Sequence, residues 1–452
     1  MLVCTGPTLE TPVNTPRSAA ANESRTLLLA TVAFFFVLLA YYIVRALREE
    51  LVGAVGSKEL PLIYGITLVV MLLLTPAFGA LVARFPRKRL IGYSYSFFIA
   101  CFIAFVPAFV MQDHIGARVL GLVFYVWLSV FNLFVVSLFW SLMADIFQNE
   151  QAKRVFSIIA LGGMGGAICG PGLGKVLLGV VGVPPLLIIS AAALAVALGL
   201  LLTLSTHHDH RAPGTQEEVI GGSLWAGAKE LWTRPFLRYM AVLMVLGDGI
   251  GTLAYALMAD YTNAHYTDRV ARTDFYFNLD LATNSLGILL QLTVTRWLLM
   301  RKGAGWALVV ASLVNLLLLL LVAMMGVGKV GIFGLVEVPM LAVMMVGSRG
   351  FAYGMTKPAT DSLYTRVPRE TRYKGKNFVE TAIWRFGDLI VTSGVRLLGA
   401  MGVAATGMAA IGAGVSVCAA WISARAANSP DLLPDPKPID GTGLRQADAA
   451  DA

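Results

Sequence analysis

TLLLATVAFFFVLLAYYIVRAL, residues Thr26–Leu47, carries a single charge, Arg45. At a rise of 1.5 Å per residue a helix of this length covers roughly 33 Å, enough to cross about 30 Å of hydrocarbon. Lipid offers the backbone no hydrogen-bond partners, so such a segment spans as a helix. Working outward, eleven further runs of the same kind follow. In the first half they are Pro61–Ala83, Ile91–Met111, Ala117–Phe147, Phe156–Gly182 and Pro184–Leu204. In the second half they are Phe236–Ala259, Phe275–Leu298, Gly305–Met325, Val330–Thr356, Gly375–Ala400 and Gly402–Ala424. The whole chain is 57% hydrophobic and 14% charged, against about 25% charged in an ordinary soluble domain. A water-soluble fold has no means of hiding that surface. The expected fold is therefore all-α and polytopic, with about twelve transmembrane helices.

The longest internal polar stretch, Ser205–Arg234, divides the runs six and six. The expected organisation is a disordered tail over 1–25, a six-helix bundle over 26–204, a linker over 205–235, a second six-helix bundle over 236–425 and a disordered tail over 426–452. The first 25 residues lack the charged-then-apolar order of a cleaved signal peptide. Strongly basic loops alternate with short or mixed ones. Arg84, Arg87, Lys88 and Arg89 follow the second span, Arg301 and Lys302 the eighth, and Arg366, Arg369, Arg372, Lys374 and Lys376 the tenth. All fall on one side if both termini are cytoplasmic, as the retention of Lys and Arg on that side requires. The net charge of +8 thus reads as topology, and no nucleic-acid partner is expected. His207, His208 and His210 lie in the polar linker without a cysteine nearby and are read as solvated. Of the four cysteines, Cys101, Cys169 and Cys418 sit in apolar runs and no CxxC pair exists, so neither a disulfide framework nor a metal site is implied.

The second span ends in GALVARFPRKR, Gly79–Arg89, which resembles the signature of the major facilitator superfamily, with Ala83 where that family usually has Asp. The fifth span carries GGMGGAICGPGLG, Gly162–Gly174, before Lys175. A phosphate-binding loop is excluded, because Cys169 and Val176 occupy its obligatory positions and no strand precedes it. Gly166-x-x-x-Gly170-Pro171 resembles the antiporter-associated motif of facilitator proteins, and small residues at this spacing equally serve close helix packing.

Charges within spans cost roughly 2.5–3.5 kcal/mol each on the insertion scale and so avoid lipid. Asp248 lies about 18 Å into the seventh span at 1.5 Å per residue, between Gly247 and Gly249. Asp280, Asn284, Gly287 and Gln291 share one face of the eighth span, and Asn377, Thr381, Arg385, Asp388, Thr392 and Arg396 stripe the eleventh. Arg385 and Asp388 are spaced to pair with each other or to line a path. Arg45 and Arg48 end the first span, where they either snorkel to the interface or join Arg349 and Arg385 in a cationic lining. Arginine forks suit carboxylate and phosphate oxygens, which favours an anion over a sugar or a cation.

YYIVRALRE from Tyr41, FWSLMAD from Phe139 with EQAKR from Glu150, and YKGKNFVETAIWRFGD from Tyr373 resemble segments of the ATP/ADP translocase family of bacteria and plastids. The resemblance implies two six-helix bundles around a central path, related to the major facilitator fold, and exchange of nucleotides. Arg48 stands where those translocases carry a functional lysine, and Asp388 near another, reversing its charge. The fourth span offers Ser129, Asn132 and Ser137 in place of an acidic residue. The expected function is secondary active transport of an anionic solute, either a nucleotide or another phosphorylated metabolite. A proton-coupled carrier of a small organic anion and a non-transporting scaffold are the alternatives. The expected solute contacts are Arg45, Arg48, Asn132, Asn284, Arg349 and Arg385, with Asp248, Asp280 and Asp388 for coupling or charge balance. Neither enzymatic activity nor a cofactor is expected. The expected location is the inner (plasma) membrane of a bacterium.

Overall fold

The computed structural model describes residues 16–147, 149–208, 224–332, 336–368, 375–376 and 378–433. The first half comprises α1 (Pro16–Val55), α2 (Leu60–Arg84), α3 (Arg87–Val110), α4 (Ala117–Ile146), α5 (Asn149–Val181) and α6 (Pro184–His208). A short helix α7 (Leu224–Thr233) leads into the second half. That half comprises α8 (Pro235–His265), α9 (269–301), α10 (Ala304–Met325), α11 (340–364), α12 (379–400) and α13 (Ala405–Ala427). The twelve long helices run alternately, so the start of α1 and the end of α13 lie at one face, called here the terminal face. The opposite one is the far face.

Nine of these helices are long and apolar enough to cross a membrane on composition alone, among the described residues. The other three are α9, α11 and α12. They carry the polar stripes, and each contains a π-helical turn: Gln291–Thr295, Ala352–Thr356 and Val379–Ile383. α8 has a fourth, Met244–Asp248. A π turn misaligns the backbone ladder and is frequent at functional sites. All four lie in the second half; the one at Ala352–Thr356 sits midway along α11 and the one at Val379–Ile383 opens α12.

Several boundaries depart from the sequence reading. α1 does not end at Leu47 but continues to Val55, and the stretch between the first two expected spans, residues 48–60, shrinks to a turn at Gly56, whose φ of 77° suits a residue without Cβ. Arg45, Arg48, Glu49 and Glu50 are thereby carried inside the protein rather than left at its rim. α1 also begins at Pro16, within the expected tail, and α6 and α7 occupy both ends of the expected linker. The tenth span does not start at Val330. An antiparallel hairpin, β1 (Lys329–Ile332) and β2 (Val336–Pro339), pairs Lys329 with Pro339, and α11 starts after it because Pro339 has no N–H for the ladder but suits a helix start. The first residues of the expected C-terminal tail clasp the second half. Asp431 accepts from the Phe236 amide at 3.1 Å, and Leu433 N donates to Arg366 O at 2.8 Å. The remainder of both tails, the 209–223 part of the linker with His210, and Arg369, Arg372, Lys374 and Asn377 lie outside the described residues.

The glycine run of α5 folds as a packing stripe. A Cβ on Gly162 would lie 2.3 Å from Thr31 O, on Gly166 2.3 Å from Phe35 O, and on Gly170 2.8 Å from Tyr42 Cβ. One helical row of α5 thus meets one row of α1 backbone to backbone, the contact that small residues at i, i+4 permit in lipid. In the second half Gly354 does the same on Gly287, at 2.4 Å from its carbonyl oxygen. Gly166→Leu is expected to lower the thermal midpoint in detergent by several degrees, since overpacking costs about 1–3 kcal/mol. Gly179→Ala, where nothing lies within 4 Å, is expected to be neutral. Equal midpoints would remove the stripe from the account of stability.

Candidate functional site

Between the halves lies a cavity of about 340 Å³. α1 supplies Phe34, Leu38, Tyr41, Tyr42, Arg45, Arg48 and Glu49, α2 supplies Tyr64, and α4 supplies Tyr125, Ser129, Asn132 and Val136. From the second half come Asp248, Thr252 and Tyr255 of α8, Arg349 and Tyr353 of α11, and Trp384, Arg385 and Asp388 of α12. A second space of about 220 Å³ shares Ser129, Asn132, Val136, Trp384 and Arg385 with it and continues along Leu72, Thr75 and Glu380 toward the terminal face.

Polar contacts between the halves close the far face. Ser57 donates from its amide and its hydroxyl to the two carboxylate oxygens of Asp260, each at 2.7 Å. Asn263 Nδ2 donates to Ala54 O at 2.7 Å, and Arg272 Nη1 lies 3.3 Å from Glu50 Oε1. Lys175 Nζ donates to Asn278 Oδ1 at 2.6 Å, which ties α5 to α9. Gly53 is pressed so closely on α8 that a Cβ would lie 2.7 Å from Thr262 Oγ1.

Within the cavity three of the four arginines face a carboxylate. Arg45 lies 3.6 Å from Glu49 and 3.5 Å from Asp280. Arg48 bonds Glu49, which also accepts from the Tyr255 hydroxyl. Arg385 lies 3.7 Å from Asp388, whose Oδ1 accepts from Thr252 Oγ1 at 2.6 Å. Arg349 has no carboxylate within ion-pair distance among the described residues. It donates to Tyr353 Oη at 3.2 Å and lies 5.6 Å from the centre of the Tyr255 ring, within cation–π range. Asp248 accepts from Trp384 Nε1. The Nε atoms of Arg45, Arg48 and Arg349 are buried without any hydrogen-bond partner among the described residues.

Seven of the nine residues named from sequence therefore line one cavity: Arg45, Arg48, Asn132, Asp248, Arg349, Arg385 and Asp388. Asp280 stands behind Arg45, buried at 4% exposure. Asn284 does not belong to the cavity. Its Nδ2 donates to Ala167 O at 2.6 Å and clips α9 to α5. The lining is also not simply cationic, because Glu49, Asp248 and Asp388 accompany the four arginines. Glu49 escaped the sequence reading because the first span was ended at Leu47. The six lining tyrosines escaped because aromatic residues in a span read as apolar filling. Their one signal is the pairing of Tyr41 and Tyr42 one turn before Arg45 and two turns before Arg48.

Residues 26–378 match the Major Facilitator Superfamily, and the chain belongs to that family. It is a multi-pass integral membrane protein of the major facilitator type. Among solved structures it is similar to a mutant of the nucleoside transporter NupG, with a TM-score of 0.60, 17% identity and coverage of 89% of this chain and 99% of that one. A bacterial homologue of the iron transporter ferroportin in an inward-facing state gives a TM-score of 0.63 at 13% identity, covering 90% and 99%. The POT family transporter PepTSo gives 0.62 at 13% identity, covering 89% and 98%. At these identities the likeness is one of fold. No curated protein matches the sequence.

Arg385→Ala and Asp388→Ala are each expected to lower the thermal midpoint, because each leaves a buried charge without its partner. The double variant is expected to recover most of the loss, with a coupling of about 0.5–3 kcal/mol. Additive losses would mean the two groups do not act as a pair.

Proposed function

We propose that this chain is a secondary transporter that carries an organic anion bearing a flat ring, of the nucleotide or phosphorylated-metabolite class, by alternating access. The carrying observation is the gathering of Arg45, Arg48, Arg349 and Arg385 on one cavity, where the Nε donors of Arg45, Arg48 and Arg349 are buried without a hydrogen-bond partner among the described residues. Buried donors of this kind cost free energy unless something fills them, and a carboxylate or phosphate does so in the fork geometry arginine favours. Tyr41, Tyr42, Tyr64, Tyr125, Tyr255 and Tyr353 supply ring faces around them, suited to a planar apolar group. The volume is in the range of small-molecule sites, about 300–1,000 Å³. The resemblance of three segments to ATP/ADP translocases and the fold likeness to a nucleoside transporter agree with this class. With basic loops placed inside a bacterial inner membrane, the terminal face is cytoplasmic and the conformation is inward-facing.

Uptake of radiolabelled AMP, glucose 6-phosphate and citrate into proteoliposomes, with and without the same compound inside, tests the reading. At least one of them is expected to exchange. Arg349→Gln is expected to reduce its uptake by about tenfold or more, the loss of one charged hydrogen bond, with only a small fall in thermal midpoint because Arg349 gives up the Tyr353 hydrogen bond and the Tyr255 ring contact but no ion pair. Full activity in that variant removes the arginine from the site.

A second reading, proton-coupled uptake of a small organic anion, is favoured by Asp248. This carboxylate lines the cavity with Trp384 as its hydrogen-bond partner and no cation within ion-pair distance among the described residues. Asp248→Asn is then expected to abolish uptake driven by an inward proton gradient while sparing exchange. Gradient-driven uptake that survives in this variant removes Asp248 from coupling.

A further inference from the structure

Arg45 belongs to α1 in the first half, and Asp280 to α9 in the second. Glu49 belongs to α1, and the hydroxyl it accepts is that of Tyr255 on α8. Both contacts therefore cross between the halves at the far end of the cavity, and both involve carboxylates that neutralise arginines facing it. The contacts of Arg45 are loose. Its separations of 3.5 Å from Asp280 and 3.6 Å from Glu49 exceed the roughly 2.7–2.9 Å of a good charged hydrogen bond. Arg45 Nε and Asp280 Oδ2 are both buried and without a hydrogen-bond partner among the described residues. Arg45 is 5% exposed and Asp280 4%, so water has little access to supply what the pair lacks. A guanidinium and a carboxylate are held near each other here without completing the contact either could make.

We propose that Asp280 and Glu49 are internal counter-anions, which hold Arg45 and Arg48 until the anion of a solute displaces them and so allow the far face to open. The inference rests on the anionic reading of the cavity and adds its coupling. In the empty carrier, opening the far face pulls Arg45 from Asp280 and Glu49 from Tyr255, and Asp280 loses the one cation it pairs with among the described residues, while Arg45 and Arg48 keep Glu49 on their own helix. With a solute anion spanning Arg349 on the second half and Arg45 on the first, Arg45 has already exchanged Asp280 for the solute, and separating the halves breaks no further ion pair there. The loaded carrier then reorients more readily than the empty one, and exchange prevails over net flux. Asp280 sets this preference without being part of the cavity wall.

Thr262 reports on far-face opening, since it is fully buried and packed on Gly53. In a background without the native cysteines, Thr262→Cys is reconstituted and a membrane-impermeant maleimide is added at the far face, with or without AMP. Slow labelling is expected in the otherwise native chain, accelerated by AMP by about fivefold or more, the low end of ordinary coupling between sites. Asp280→Asn is expected to label fast without AMP, with little further gain on adding it, and to bind AMP more tightly. Asp280→Glu, which keeps the charge, is expected to behave as the native chain. Glu49→Gln provides the same test should Asp280→Asn not fold. Labelling of the neutral variants as slow as the native chain without AMP, or weaker AMP binding by them, overturns the proposal. AMP without effect on the thermal midpoint or labelling of the native chain overturns the nucleotide reading instead, and the comparison of variants in the absence of AMP still decides the latch.

Discussion

A guanidinium or carboxylate at mid-depth in a bilayer costs roughly 2.5–3.5 kcal/mol on the insertion scale, and a chain that keeps several must give each one a counter-charge, a dipole or water. The fold is arranged around that constraint. The charged groups at depth on α1, α8, α9, α11 and α12 gather at or just behind one cavity between the halves. The outward surfaces carry apolar residues such as Leu73, Val119, Leu313 and Val417. Arg45 is paired with Glu49 on its own helix and with Asp280 across on α9, and Arg385 is paired with Asp388 one turn along α12. Arg349 is the exception, an arginine with a tyrosine hydroxyl and a ring face but no carboxylate partner among the described residues.

The same constraint divides the two halves. All six long helices of the first half pass as apolar spans, while three of the second half do not, and the π-helical turns occur in the second half alone among the described residues. The first half is closed by glycine contacts between α5 and α1, which leave little freedom for either helix. In the second half, polar stripes and π turns place Asp248 and Tyr353 on backbone whose ladder is locally misaligned. A rigid face carrying Arg45, Arg48 and Glu49 thus meets a face with more irregular backbone across the cavity.

Much of this was legible in the sequence, for one reason: hydrocarbon thickness fixes the length of a span, and charge is rare within it. Asp248, Arg349, Arg385 and Asp388 stand out as charges far from any interface, and the structure brings them to one place. What escaped depended on tertiary placement. α1 runs on to Val55 because Arg45, Glu49 and Glu50 meet partners from the second half, Asp280, Tyr255 and Arg272, which no local reading of RALREE supplies. The hairpin 329–339 reads as the beginning of the tenth span because Val330, Ile332, Val336 and Val338 are as apolar as helix residues. Asn284 shares a face with Asp280 on α9, yet that face is divided between the neighbour of Arg45 and the contact with α5. The glycine run could serve packing or motion on sequence alone. Its backbone contacts with Thr31 and Phe35 assign it to packing.

The account stands on the polarity of the space beside Asn132 and Arg385. Asn132 in α4 and Leu73 in α2 lie about midway along their helices, the first lining the cavity and the second 69% exposed on the outer surface. In a chain without native cysteines, Asn132→Cys is expected to react with a small water-soluble thiol reagent, and Leu73→Cys to remain unreactive in the bilayer. Reaction at position 73 with none at 132 would place the polar space elsewhere and contradict a central, water-accessible path.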